Sequence, residues 1–200
     1  MARTKNLESY KQSLSHLLDV GLKLIRSGSF QSVGINDILE AAAVPKGSFY
    51  HYFKNKEAFG IAVAEHYHAQ QMEFAKSLLE NKTLSPIERL QKFFEAIYND
   101  LSTRNFEQGC LMCNLSVEMA DENTAFQQVL QNQWSELSAL ISDTLTGVDM
   151  SAMGLTHLQN HEAGDWLLNS WSGALNRMKA TGSGAPLKLF MKSVFGKELS

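Results

Sequence analysis

Seven side chains between residues 46 and 56 have the chemistry to contact a polyanion. Lys46, Ser48, Tyr50, His51, Tyr52, Lys54 and Lys56 supply ammonium, hydroxyl and imidazole donors, interleaved with the apolar Phe49 and Phe53. Such donors bond phosphate oxygens or approach base edges. If a helix begins at Lys46, the backbone amides at Gly47 and Ser48 stand at its N-terminus, where dipole and N–H groups favour a phosphate. Lys54 and Lys56 then fall where the next stretch of nucleic-acid backbone would be gripped. A second reactive string is Gly109-Cys110-Leu111-Met112-Cys113, which holds both cysteines of the chain. Three residues apart, they share a face of any helix they occupy. Zinc needs two further ligands, and the histidines form no cluster at a recognisable spacing, so no metal is expected. A thiol redox enzyme needs a strand-helix context that is absent. Two small apolar residues in a helical core is the usual fate of free cysteine.

The elements that must position these groups are helices. Leu14, Leu17, Leu18, Leu22 and Ile25 recur at three- and four-residue steps and predict one buried face ending near Gly28. A short helix is expected over 35–42, with Ile38, Leu39 and Ala42 inward. Pro45 then allows a new start at 46, and that helix runs to about 52. Ile38, Leu39, Ala42, Val44, Phe49 and Phe53 form the crossing of a helix-turn-helix, in which the second helix lies in the major groove. Asn55 opens a long helix to about residue 80. Further helices are expected at about 85–103, 107–120, 124–146, 161–181 and 186–195, with a loop over 147–160. Ser85, Pro86 and Glu88 open the first of these with capping-box spacing. No segment alternates like a strand. The fold class is all-α, about nine helices, with a DNA-binding head over residues 1–55 and an effector-sensing and dimerisation domain over 56–200.

Charge agrees with that division. The net charge is −3, but eight Lys/Arg against five Asp/Glu through residue 60 leave +3, and ten against sixteen in the remainder leave −6. Arg3 and Lys5 form a basic N-terminal arm. The absence of a signal-peptide core or a membrane-length apolar run, together with two cysteines only, implies a cytoplasmic protein.

The string Val44-Pro45-Lys46-Gly47-Ser48-Phe49-Tyr50-His51-Tyr52-Phe53-Lys54-Asn55-Lys56-Glu57 closely resembles the signature of the TetR family of bacterial transcriptional regulators. The resemblance covers the whole chain in layout, and residues 20–60 in detail. It implies a homodimer presenting two recognition helices to a pseudo-palindromic DNA operator. Two departures stand out. Gly34 replaces a capping threonine that also touches DNA, a contact Asn36 would supply instead, and Ala43 replaces a turn glycine, implying an unstrained turn there.

Gly109 to Glu118, read as Gly-Cys-Leu-x-x-x-Leu-Ser-x-Glu, resembles the electrophile- and oxidant-responsive subgroup of that family, such as the N-ethylmaleimide-responsive repressor. By that resemblance Cys110 is the sensing thiol and Lys179 its partner, since a nearby ammonium stabilises a thiolate. Cys113 is outside the subgroup pattern and either resolves Cys110 into a disulfide or packs inertly. The competing effector is a reversible small ligand in an apolar pocket drawing on Met112, Trp134 and Trp171. Core packing accounts for the same residues equally well.

The apolar faces of the last two long helices (Trp166, Leu167, Trp171, Leu175 and Met178, then Leu187, Phe190 and Val194) suggest a dimer interface. Glu118, Asp121 and Glu122 read as a solvated helix end. No phosphate-binding glycine loop, nucleophile elbow, metal cluster or cofactor motif is present, so neither an enzyme nor a resident cofactor is expected. Coupling between effector and head is expected to pass through the long helix at 55–80.

Overall fold

The computed structural model describes residues 2–199, with side chains from Tyr10 onward. The basic arm at Arg3 and Lys5 lies outside the described side chains. The described residues form nine α-helices and one 3-10 turn, and no strand. The helices are α1 (Ala2–Ser27), α2 (Ile35–Ala42), α3 (Lys46–Tyr52), α4 (Lys56–Leu79), α5 (Pro86–Thr103), α6 (Leu111–Met119), α7 (Thr124–Thr144), α8 (Asn160–Thr181) and α9 (Ala185–Phe195).

The chain divides into two compact units. One comprises residues 1–69 with 114–130, the other 70–113 with 131–200. The boundary expected at residue 55 falls inside the first unit, just before α4. Helices α4, α6 and α7 each contribute to both units.

In the first unit Leu17, Leu18, Leu22 and Ile25 of α1 are buried, as the periodicity predicts, and Leu14 is half-buried. Gly28 stops the helix and donates its N–H to the Leu24 carbonyl at 3.0 Å. Gly21 is required by close packing, because a Cβ there would stand 2.3 Å from the ring of Phe59. Asn55 caps α4, its Oδ1 accepting the Ala58 N–H at 2.8 Å.

In the second unit α5 opens on the Ser85 cap. The Ser85 N–H and hydroxyl donate to Glu88 Oε2 at 2.8 and 2.6 Å, and these bonds hold the Glu88 carboxyl below its ordinary pKa. The core is aromatic at its centre. Phe94 of α5 stands 5.0 Å from both Trp171 of α8 and Phe190 of α9, edge-on or tilted, the geometry that ring quadrupoles favour.

Three local expectations differ from the structure. Helix α6 begins at Leu111 rather than near 107, because Asn105, Phe106, Gln108 and Gly109 all take left-handed backbone (φ 53°, 59°, 68° and 61°). The loop over 147–160 holds a 3-10 turn, Met150–Met153, capped by Asp149. Finally, Leu167, Trp171, Leu175, Met178, Leu187, Phe190 and Val194 are buried within the chain itself. The apolar faces assigned to a dimer interface are therefore spent on this core. What α8 and α9 leave outside is a shallower strip with Trp166, 41% exposed, and Leu189, 58% exposed.

A candidate DNA-reading head and a thiol pair

Helix α2 starts where Asp37 Oδ2 accepts the Gly34 N–H at 2.7 Å, so the carboxylate three residues on does the work of the missing side-chain cap. It ends at Ala43, which takes left-handed backbone (φ 53°, ψ 40°). The turn at 43 is thus strained rather than relaxed. An L side chain in that region costs about 1–2 kcal/mol, and here the Ala43 and Val44 N–H groups donating to Glu40 and Leu39 carbonyls at 3.1 Å hold it in place. The turn hands the chain to Pro45 and α3.

Helix α3 is pinned from beneath by Phe49, which is fully buried and packs 5.4 Å from Phe59 and 5.6 Å from Phe53. Tyr10 of α1 stacks against Tyr52 and His51, with centroids 4.8 and 5.8 Å away. This packing turns Lys46, Gly47, Tyr50 and His51 outward. All four are exposed, Tyr50 at 49%, with Ser48 half-buried beside them. A Cβ at Gly47 would meet nothing within 4 Å, so the fold itself does not demand glycine there. Glycine there leaves the outer face of α3 open to close approach by another backbone. The Ser48 N–H is already donated to the Pro45 carbonyl at 2.9 Å, which leaves the Ser48 hydroxyl for an outside partner. Asn36 and Lys54 are exposed.

Lys56 is placed differently from its neighbours. It is half-buried, its Nζ donates to the Gln31 carbonyl at 3.0 Å, and it sits 4.7 Å over the Phe30 ring. The same loop is also held by α6 and the turn that follows it. Glu118 accepts the N–H groups of Phe30 and Gln31 at 3.0 and 2.6 Å, and Glu122 accepts from the Gln31 side-chain amide at 3.0 Å. The acidic run is therefore not a solvated helix end. Two of its carboxylates clamp the loop that leads into α2. Sequence reading missed this clasp, since a Glu and the amides it binds lie 87 and 88 residues apart.

Cys110 is half-exposed and directly precedes α6, and Cys113 is buried one turn later. The Cys113 thiol hydrogen-bonds to Cys110, and the Ser172 hydroxyl of α8 is its second partner. The bond to Cys110, followed by burial, pushes the Cys113 pKa well up, so Cys113 keeps its proton. Lys179 lies exposed in the last turn of α8, seven residues and so two turns beyond Ser172 on the same side of that helix.

Met112 is buried, Trp171 is part of the aromatic core and Trp134 packs against that core, half-buried. Gln133, beside Trp134 on α7, went unnoticed in the sequence. It is 4% exposed, and neither its Oε1 nor its Nε2 has a hydrogen-bond partner. No group of three or more metal-ligating side chains is found among the described residues. Among the described residues no helix is long and apolar enough to cross a membrane.

The family model of bacterial regulatory proteins of the tetR type matches residues 17–63, which enclose the helix-turn-helix. A second, the C-terminal domain of LmrA/YxaF-like transcriptional regulators, matches residues 86–193. The chain belongs to the TetR family. Its relatives include the transcriptional repressor DhaR of a Mycobacterium species, 33% identical over 185 residues, covering 90% of this chain and 89% of that protein. The Escherichia coli repressor NemR is 31% identical over 140 residues, 70% of each chain. The crystal structure of the reduced form of E. coli NemR superposes with a TM-score of 0.80 at 27% identity, covering 94% of this chain and 97% of that one. The likeness to NemR supports the subgroup that the Gly109–Glu118 string resembles. As a TetR-family protein the chain is a DNA-binding transcriptional regulator and not an enzyme.

Proposed function

We propose that this TetR-family regulator is a homodimeric, cytoplasmic repressor that leaves its operator when an electrophile or oxidant modifies Cys110. The observation that carries the reading is the position of Cys110: half-exposed, at the N-terminus of α6, and in contact with a second thiol. A helix N-terminus favours the thiolate, the reactive form. Lys179, two turns past Ser172, is the candidate ammonium partner. On the DNA side Lys46, Gly47, Ser48, Tyr50 and His51 form the face of α3 that reads the major groove, with Asn36 and Lys54 on flanking phosphates. Lys56 serves the head from within.

Helix α6 provides a short route for the signal. Cys110 stands at one end, and Glu118 in its last turn holds residues 30 and 31, just ahead of α2. A displacement of α6 would loosen that hold, and a population shift of a few kcal/mol suffices to release DNA. Helix α4, 24 residues and so about 36 Å long, runs through both units and remains the second route. For dimerisation, the outer strip of α8 and α9 offers an open groove lined by Trp166, Gly173, Arg177, Pro186 and Leu189, suited to pairing with its own copy about a twofold axis.

The test is a gel shift of the protein–operator complex titrated with N-ethylmaleimide, repeated on Cys110→Ser. Release of wild type and retention of the variant is expected, and equal release of both contradicts the reading. A second reading, release by a reversible small ligand, is favoured by Gln133 alone. A buried amide with both atoms unpaired is costly, and a polar ligand beside Trp134 would satisfy it. Gln133→Leu should then lose the ligand response while still responding to N-ethylmaleimide.

A further inference from the structure

The proposal that Cys110 is the inducible thiol leaves Cys113 without a duty, and Cys113 is the better-defined of the two sulfurs. It is 5% exposed, sits on the first turn of α6, and has two hydrogen-bond partners, Cys110 and the Ser172 hydroxyl. Cys110, directly ahead of that helix, is reachable from solvent. The arrangement is asymmetric in the way that thiol–disulfide chemistry requires. An accessible sulfur at a helix N-terminus reacts first, and a protected sulfur three residues on stands within reach of it. Cys110 immediately precedes α6 and Cys113 lies in its first turn, so the two thiols meet at the helix N-terminus, close enough to hydrogen-bond.

We propose that Cys110 and Cys113 form a reversible intrachain redox pair, with Cys110 the thiol attacked by hydroperoxides and Cys113 the resolving thiol. The inference rests on the reading of Cys110 as the reactive site and extends it. In the first step the Cys110 thiolate attacks the terminal oxygen of a hydroperoxide. The O–O bond breaks, an S–O bond forms, and the alkoxide leaves and takes up a proton as the alcohol. In the second step the Cys113 sulfur attacks the sulfenic sulfur of Cys110. The S–O bond breaks, and the departing hydroxide takes the Cys113 proton and leaves as water. Two thiols are oxidised by two electrons, and one hydroperoxide is reduced to one alcohol and one water. The new bond draws Cys113 off Ser172, which is the change α6 and α8 would register.

The experiment treats the full-length protein with tert-butyl hydroperoxide, alkylates the remaining thiols under denaturing, non-reducing conditions, and reads intact mass and peptide maps. Wild type is expected to lose both alkylatable thiols and two hydrogens in mass, with a Cys110–Cys113 cross-linked peptide, all restored by dithiothreitol. Cys113→Ser is expected to stop at a Cys110 sulfenic acid that dimedone traps, and Cys110→Ser to leave Cys113 unreacted. Wild type that gains oxygen while Cys113 stays alkylatable, or that links Cys110 to the Cys110 of a second copy, overturns the proposal. Operator retention is read on the same samples. A disulfide formed without DNA release supports the pair but refutes Cys110 as the inducible site.

Discussion

Replacing Glu118 by alanine removes both acceptors of the clasp on the loop ahead of α2. The Phe30 and Gln31 N–H groups lose bonds of 3.0 and 2.6 Å to a carboxylate. Bonds to a charged group contribute about 1.5–3 kcal/mol each, but the Gln31 side is exposed and water takes its place there. Phe30 is 6% exposed, and its amide is the harder of the two to re-solvate. A loss of about 2 kcal/mol for Glu118→Ala follows, and about half of that for Glu118→Gln, which keeps one acceptor oxygen. For a chain of this size, about 2 kcal/mol lowers Tm by about 4–8 °C. Circular dichroism melts of both variants, alongside operator affinity by fluorescence anisotropy, test this. The variants should rank wild type, Gln, Ala in Tm, and affinity for the operator should fall in the same order. A Glu118→Ala melt within about a degree of wild type would mean the clasp contributes nothing, and with it α6 loses its role as the route to the head.

Ala43→Gly should raise stability by about 0.5–1 kcal/mol, the left-handed penalty less the added backbone freedom of glycine, seen as a higher urea midpoint. A lower midpoint would show that the turn is unstrained after all. Lys54→Met should reduce the salt dependence of operator binding by about one phosphate. Lys56→Met should instead leave the slope unchanged and lower Tm, because its Nζ is bound to Gln31. Glu88 has a folded pKa below its ordinary value, so its cap stabilises α5 above that ordinary value and loses this as pH falls through the folded pKa. Ser85→Ala should therefore flatten the acid side of the Tm–pH curve.

What could be read in the sequence is local. The period of Leu14 to Ile25, proline at 45, Asn55 as a cap and the Ser85–Glu88 box each act within a turn or two, and the helices they imply are present. What could not be read depends on partners far along the chain or on backbone states that residue type conceals. Ala43, Asn105, Phe106 and Gln108 take left-handed backbone without being glycine, so neither the strained turn at 43 nor the late start of α6 is legible. Glu118 looks like any solvated carboxylate until the loop at residue 30 is beside it. The apolar residues of α8 and α9 serve an inner core and an outer strip at once, and only burial separates Trp171 from Trp166. Lys56 has the composition of a phosphate contact and the position of a strut. The exposed set on α3 stands apart in this respect, because its outward direction follows from Phe49 and Phe53 pointing in.

The most direct test of the central claim is operator binding by Tyr50→Ala and His51→Ala, measured by gel shift with dimerisation followed by sedimentation. Both side chains are exposed on α3 and form no part of the core, so the dimer should persist and operator retention should be lost. Normal retention by intact dimers of both variants would contradict the assignment of α3 as the DNA-reading helix.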